Sequence, residues 1–284
     1  NGKGTYEVSK SNYDKGSAEK MIKTAVELLG GTYEIPEEKG TLQVGAGAAV
    51  IDLDQKWNDG FPESNKGFNG TFDETNLPYA RVLLLDNGQE SAAIVSMEMV
   101  QLTSCVDELR SVAAKALGIN ESNVWVHTTH VITTPHQPNG EADSALYVKV
   151  MSDAIKEAAA QALASKQDAV MGVGTTTCTV NANRNIVEPA GVTTPAGQRD
   201  TTFYSAPNVM ETVGEVNETM TILRFETPEG EPIAFFMSYG VKPNTIDAAG
   251  LGTTLDRIVQ ADTPGLACKM VEEKYGVPCM FCMP

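Results

Sequence analysis

No apolar run in the 284-residue chain approaches the ~18 residues that a bilayer-spanning helix needs, so a membrane-spanning helix is excluded. Basic residues are scarce. Twenty-one Lys and Arg stand against 37 Asp and Glu, giving a formal charge of −16 and a pI near 4.6. That balance favours solubility and argues against nucleic acid as a partner, because phosphate-backbone binders carry a basic footprint. Cysteine is limited to five scattered residues, Cys105, Cys178, Cys268, Cys279 and Cys282. An odd, dispersed set is no disulfide framework, and reduced thiols are expected. Cys279-x-x-Cys282 has no second pair to complete a zinc site, and on a strand its two thiols face opposite sides. A nucleotide fingerprint is missing too. Gly45-Ala46-Gly47-Ala48-Ala49-Val50 places valine where a third glycine belongs, and no Walker-type Lys-Ser/Thr follows a glycine-rich run.

What is present suits a globular α/β protein. Hydrophobic residues make up 42% and charged residues 20%, and a chain of this length buries roughly 75% of its unfolded surface without staples. Residues 1–40 read as a polar segment followed by a helix, in which Met21, Ile22, Ala25, Val26 and Leu29 recur at helical spacing before Gly30-Gly31. Residues 41–284 read as the main domain. Strands are predicted at 41–51, 79–85, 91–97, 123–126, 169–177, 220–225, 233–238 and from 277 onward. Asp86-Asn87-Gly88 between two of them signals a tight hairpin turn. Helices are predicted at 104–117, with Ser104 and Asp107 as a capping box and Gly118 as the stop, at 142–166, and at 263–275, opened by Thr263-Pro264 and closed by Gly276. Polar, turn-rich stretches at 55–76 and 185–217 read as long cleft-forming loops. Strands alternating with helices and interrupted by hairpins imply a mixed β-sheet with flanking helices, its ligand site at strand C-terminal ends.

All three histidines fall within ten residues, His127, His130 and His136, at the end of a predicted strand. Imidazole titrates near neutral pH and is the commonest metal ligand, so this segment is the leading candidate for chemistry. The alternative is that Thr and His satisfy the backbone of a buried turn. Two further polar clusters end strands. Asn181-Ala182-Asn183-Arg184-Asn185 supplies a planar Arg fork, and Ser238-Tyr239-Gly240-Val241-Lys242-Pro243-Asn244 supplies a cation able to meet a carboxylate or an oxyanion. The apolar run 276–284 reads as a buried strand without a polar tail, which suggests either a truncation or a cut in a longer polypeptide after Pro284.

Taken in order, these segments resemble the N-terminal catalytic domain of the neutral/alkaline (non-lysosomal) ceramidase family, from about Leu42 to the end. Val44 to Ile51 is similar to the family's V-G-x-G-x-A-D-I strand, and Pro78 to Asp86 to its L-Y-A-R-A-L-V-L-D strand. Val95-Ser96-Met97-Glu98-Met99 stands where the family has V-S-x-D-L. Val126 to Pro135 resembles the T-H-T-H-S-G-P loop, so His130 falls on a zinc-ligand position while Ile132 replaces the second histidine. Asn183-Arg184 matches an N-R pair. Ser238 to Pro243 resembles N-Y-A-V-H-P, with Lys242 on another zinc-histidine position. Ala261-Asp262-Thr263-Pro264-Gly265 resembles S-A-D-Y-P-G, and Phe281 to Pro284 matches the F-L-N-G that precedes the family's nucleophile segment.

The resemblance implies a ceramidase-like fold and amide-bond hydrolysis. In the family zinc polarises the amide carbonyl, whereas here a lysine and an isoleucine stand at two of the ligand positions, and a fixed ammonium repels a dication. A metal-independent amide hydrolase is therefore the first expectation. In it His130, Lys242 and Asp262 are catalytic, Glu98, Arg184, Tyr239 and Asn244 bind substrate, and cleavage after Pro284 leaves a partner chain with an N-terminal amine as base. A small amide or peptide substrate fits its loops, rich in Asn, Gly, Thr and Asp, and a homo-oligomer is possible. The alternatives are a zinc amidase with a rearranged ligand set centred on His130, and a binding protein on the same scaffold.

Overall fold

The computed structural model describes residues 41–53, 68–102, 104–135, 137, 141–182, 185–188, 193–194, 197–198, 202–205, 215–243 and 257–283, with backbone alone for 68–72, 141–143, 185–205 and 257–258. The expected helix near residues 17–29 lies outside them. The elements are β1 (Gln43–Val50), β2 (Phe68–Phe72), β3 (Tyr79–Asp86), β4 (Ser91–Met97), α1 (Val106–Leu117), β5 (Val124–Thr128), α2 (Glu141–Ala164), β6 (Gln167–Asp168), β7 (Val170–Thr177), β8 (Asn185–Glu188), β9 (Thr193–Thr194), β10 (Gly197–Gln198), β11 (Thr202–Ser205), β12 (Thr219–Glu226), β13 (Pro232–Ser238), β14 (Arg257–Val259), α3 (Asp262–Tyr275) and β15 (Cys279–Cys282).

Two mixed sheets stack. The first runs β5-β4-β3-β1-β6 and the second β15-β13-β12-β7, with parallel pairing only at β4/β5 and β13/β15. Period-two alternation explains the layering, because successive side chains of a strand point to opposite faces. Ala80, Val82 and Leu84 of β3 join Leu109 of α1 and Tyr147, Met151 and Ile155 of α2 in one core. Leu83 of the same strand turns the other way and packs, with Val44 and Ala46, on Phe225, Phe236 and Met280 of the second sheet. The outer face of that sheet buries Phe235, Met237 and Phe281 with Cys268 of α3. The order of layers is helices, sheet, sheet, helix.

Local chemistry sets the boundaries. Gly118 and Gly276 end α1 and α3 in the left-handed region at φ 70° and 72°, as the sequence predicts. Four expectations change. The capping box does not form: Cys105 is the N-cap without a side-chain bond, and the Ser104 hydroxyl accepts from Gln137 instead. The β3–β4 connection is wider than a two-residue turn, since Asp86 pairs with Ser91 and Asn87 N–H donates to Glu90 O; the Asn87 side chain spends itself on the amides of Gln89 and Glu90. The stretch expected to be a loop at 185–217 contains the strand pairs β8/β11 and β9/β10, and β2 pairs in parallel with β14.

Candidate functional site

The candidate residues that the structure describes lie just beyond the ends of strands. Across the first sheet, Ala48, Arg81, Ser96 and His127 fall in one cross-strand row, on the face turned to the second sheet. The adjacent row, Ala46, Leu83, Ile94 and Trp125, is apolar. The interface between the sheets thus turns polar one row before β4 and β5 end. Ser96 Oγ donates to Phe281 O at 3.1 Å, which brings the end of β15 against that row. Tyr239 N–H donates to Cys282 O at 3.1 Å, so the exit of β13, carrying Lys242 three residues on, adjoins the end of β15.

His130 follows β5 and is half-buried, with φ 54°. Asp262 opens α3, is fully buried, and has φ 47°. These are the two non-glycine residues with positive φ among the described residues, a conformation that costs about 1 to 3 kcal/mol and persists where surroundings enforce it. Their loops are tied together: Thr133 Oγ donates to Gln260 O at 2.9 Å and Gln260 N–H to Thr133 O at 3.3 Å. Asn76 adds a second brace, its amide donating to Asp262 O at 3.1 Å while Ala261 N–H donates to Asn76 O at 2.8 Å. The Asp262 carboxylate accepts from the amide and hydroxyl of Thr263.

The remaining expected residues fall differently. Glu98 is 1% exposed and both its oxygens are engaged, one by Arg81 in a tight ion pair and the other by Tyr79 N–H at 2.8 Å. Burial pushes its carboxyl up to about 7, against the pull of Arg81 and the Tyr79 amide. The buried Tyr239 hydroxyl donates to Cys178 O at 2.7 Å and accepts from Asn181 N–H. The polar atoms of both side chains are therefore engaged within the protein. Lys242 is exposed at the exit of β13. Arg184, Asn244, His136 and Pro284 lie outside the described residues.

His127 has its ring centroid 4.9 Å from that of Trp125, and burial pushes the imidazole down to about 4, so it is neutral near pH 7. Its Nε2, like the Thr129 hydroxyl, is buried without a hydrogen-bond partner. Among the described residues no three His, Cys, Asp or Glu side chains gather as a metal site. Ile132, at one of the positions the resemblance assigns to a zinc ligand, carries no donor atom. The five thiols are free and four of them buried; Cys279 and Cys282 join opposite cores, as their odd spacing on a strand requires.

Arg81, Ser96 and Glu272 are residues of this region to which the sequence analysis assigns no role. The available signal was an arginine inside the apolar strand Tyr79–Asp86, since a charge at a fully buried position demands a partner.

No family model and no curated protein sequence matches the chain. Among solved structures it is similar to neutral ceramidase from Pseudomonas aeruginosa, with a TM-score of 0.56 and 15% identity over 87% of this chain and 39% of that one. A ceramidase complexed with C2 gives 0.53 and 15% over 86% and 37%. At that identity the likeness establishes the fold, and the chain spans less than two fifths of the length of these proteins.

Proposed function

We propose that the chain is an amide-bond hydrolase that acts on small polar amides or peptides through its own side chains. The observation that carries this reading is the pair of strained residues, His130 and Asp262, on loops hydrogen-bonded to one another at the ends of β5 and β14. Strain of this kind collects at functional sites because only a surrounding structure that over-determines it can hold it. In the proposed reaction water adds to the carbonyl carbon while the His130 imidazole takes its proton. The Asp262 carboxylate on the adjoining loop favours the imidazolium so formed. The Lys242 ammonium offsets the charge on the carbonyl oxygen. His130 then returns the proton to the amide nitrogen as the C–N bond breaks, leaving a carboxylic acid and an amine.

Turnover of N-acetyl-amino-acid p-nitroanilides and short acetylated peptides tests it. His130→Ala is expected to lose about 10²- to 10⁴-fold in kcat/KM and Lys242→Ala about 10²- to 10³-fold. A His130→Ala variant as active as the parent, or no hydrolysis across the panel, removes the proposal.

A further inference from the structure

Beside the candidate site lies a buried charge cluster that the proposed chemistry does not use. Arg81, from β3, pairs through Nη1 with Glu98 and through Nε with Glu272 of α3 at 3.0 Å, with a second contact from Nη2 to Glu272 at 3.3 Å. Its guanidinium lies 4.8 Å above the Tyr79 ring. Glu272 also accepts from Cys279 N–H at 3.0 Å, so one cluster joins β3, the end of β4, α3 and the start of β15. Two carboxyl groups share one guanidinium, with Arg81 and Glu98 buried and Glu272 partly exposed. Burial works against the Arg81 charge, yet Glu98 and Glu272 together hold its pKa above the usual arginine range.

The cluster abuts the first turn of α3, which Asp262 opens. A Cβ on Gly265, in the first turn of α3, would stand 2.2 Å from Ala261 Cβ, 2.8 Å from Asn76 Oδ1 and 3.5 Å from Glu98 Oε2. Glu98, Asn76 and that turn are therefore packed with no slack, and Asn76 is the side chain that holds the Asp262 carbonyl. We infer that Arg81 and Glu98 are positioning residues for Asp262: the Glu98 carboxyl, held by Arg81 and the Tyr79 amide and packed against Gly265, seats the first turn of α3 and keeps the Asp262 backbone in its strained form. This rests on reading Asp262 as part of the site, but the seat itself is measurable without turnover.

The groups facing Glu98 are Arg81 and the Tyr79 amide from β3, with Glu272 and the Cys268 thiol from α3. Opening of the turn would release Glu98 to water, where its carboxyl titrates near the ordinary 4.5 rather than about 7. Closure is therefore favoured by the protonated form, and protection should rise as pH falls from 8 toward 6.

Amide hydrogen exchange followed by mass spectrometry on the peptide covering 261–266 tests this, with a peptide from α2 as the control. After correction for intrinsic rates, wild-type protection of 261–266 is expected to grow up to about tenfold per pH unit below 7, the factor that one pKa unit supplies, while the α2 peptide stays level. Glu98→Gln should abolish that pH term and keep the protection. Arg81→Met should weaken protection most at pH 8, and adding Glu98→Gln to it should restore it. Wild-type protection of 261–266 without a pH term overturns the inference, as does a Glu98→Gln chain that keeps the term. Should Arg81→Met fail to fold, the wild-type and Glu98→Gln profiles decide alone. An exchange profile as described with no amide turnover leaves the seat standing and removes only the hydrolase.

Discussion

His130 is held against its own conformational preference. At φ 54° an L-residue pays for a geometry that glycine adopts freely. His130→Gly should therefore leave thermal stability unchanged or raise it by about 1 kcal/mol, while abolishing any imidazole-dependent turnover. Calorimetry paired with the amidase assay separates the two effects, and a large loss of stability would show that the ring itself holds the loop. The sequence displays this residue clearly, because three histidines in ten positions are conspicuous. It does not display the neighbours that matter. Arg81, Ser96 and His127 form a row only through strand register, and Glu272 enters it from 191 residues further along the chain than Arg81; no local pattern records such a meeting.

Among the elements, α2 and β1 form a close joint. A Cβ at Gly47 would stand 2.1 Å from Ala158 O, and one at Gly45 1.9 Å from Ala162 O. Helix and strand backbones thus approach closely, and Gln161 and Ser165 of the helix segment accept from the amides of Ala48 and Ala46. Gly47→Ala should push the helix off the sheet and cost about 1 to 3 kcal/mol or more; urea unfolding measures it, and a neutral outcome would mean that the joint yields. The sequence makes these two elements legible through periodicity, but the same glycines look like a failed nucleotide loop. Only contact with α2 explains them. Strands of eight residues and helices with glycine stops are foreseen, whereas β6 and β14, of two and three residues, are too short to leave a pattern. The capping box fails for a related reason: Gln137, 33 residues on, takes the serine that local rules assign to the helix.

At the scale of the whole molecule, two buried groups pull stability in opposite directions with pH. Glu98, raised from 4.5 to about 7, contributes stability that is full below 4.5 and lost as pH rises to 7. His127, lowered from 6.5 to about 4, contributes stability that is full above 6.5 and lost as pH falls to 4. Each slope approaches 1.4 kcal/mol per pH unit, so between pH 4.5 and 6.5 they nearly cancel. Glu98→Gln should uncover the His127 slope, and the difference between wild-type and variant urea-unfolding free energies should change by about 1.4 kcal/mol per unit over that window. A difference independent of pH would place the Glu98 carboxyl in its ordinary range.

The two layers are also laid down along the chain in different ways. Every strand of the first sheet, together with the two helices that cover it, comes from residues 43–168, so nothing later in synthesis is needed to complete its ladder. The second sheet waits for its final member: β13 stays unpaired on one side until Cys279–Cys282 is made and lies down beside it. That strand also brings Phe281 O to Ser96, so a strand made after the whole first sheet fastens the earlier layer to the later one.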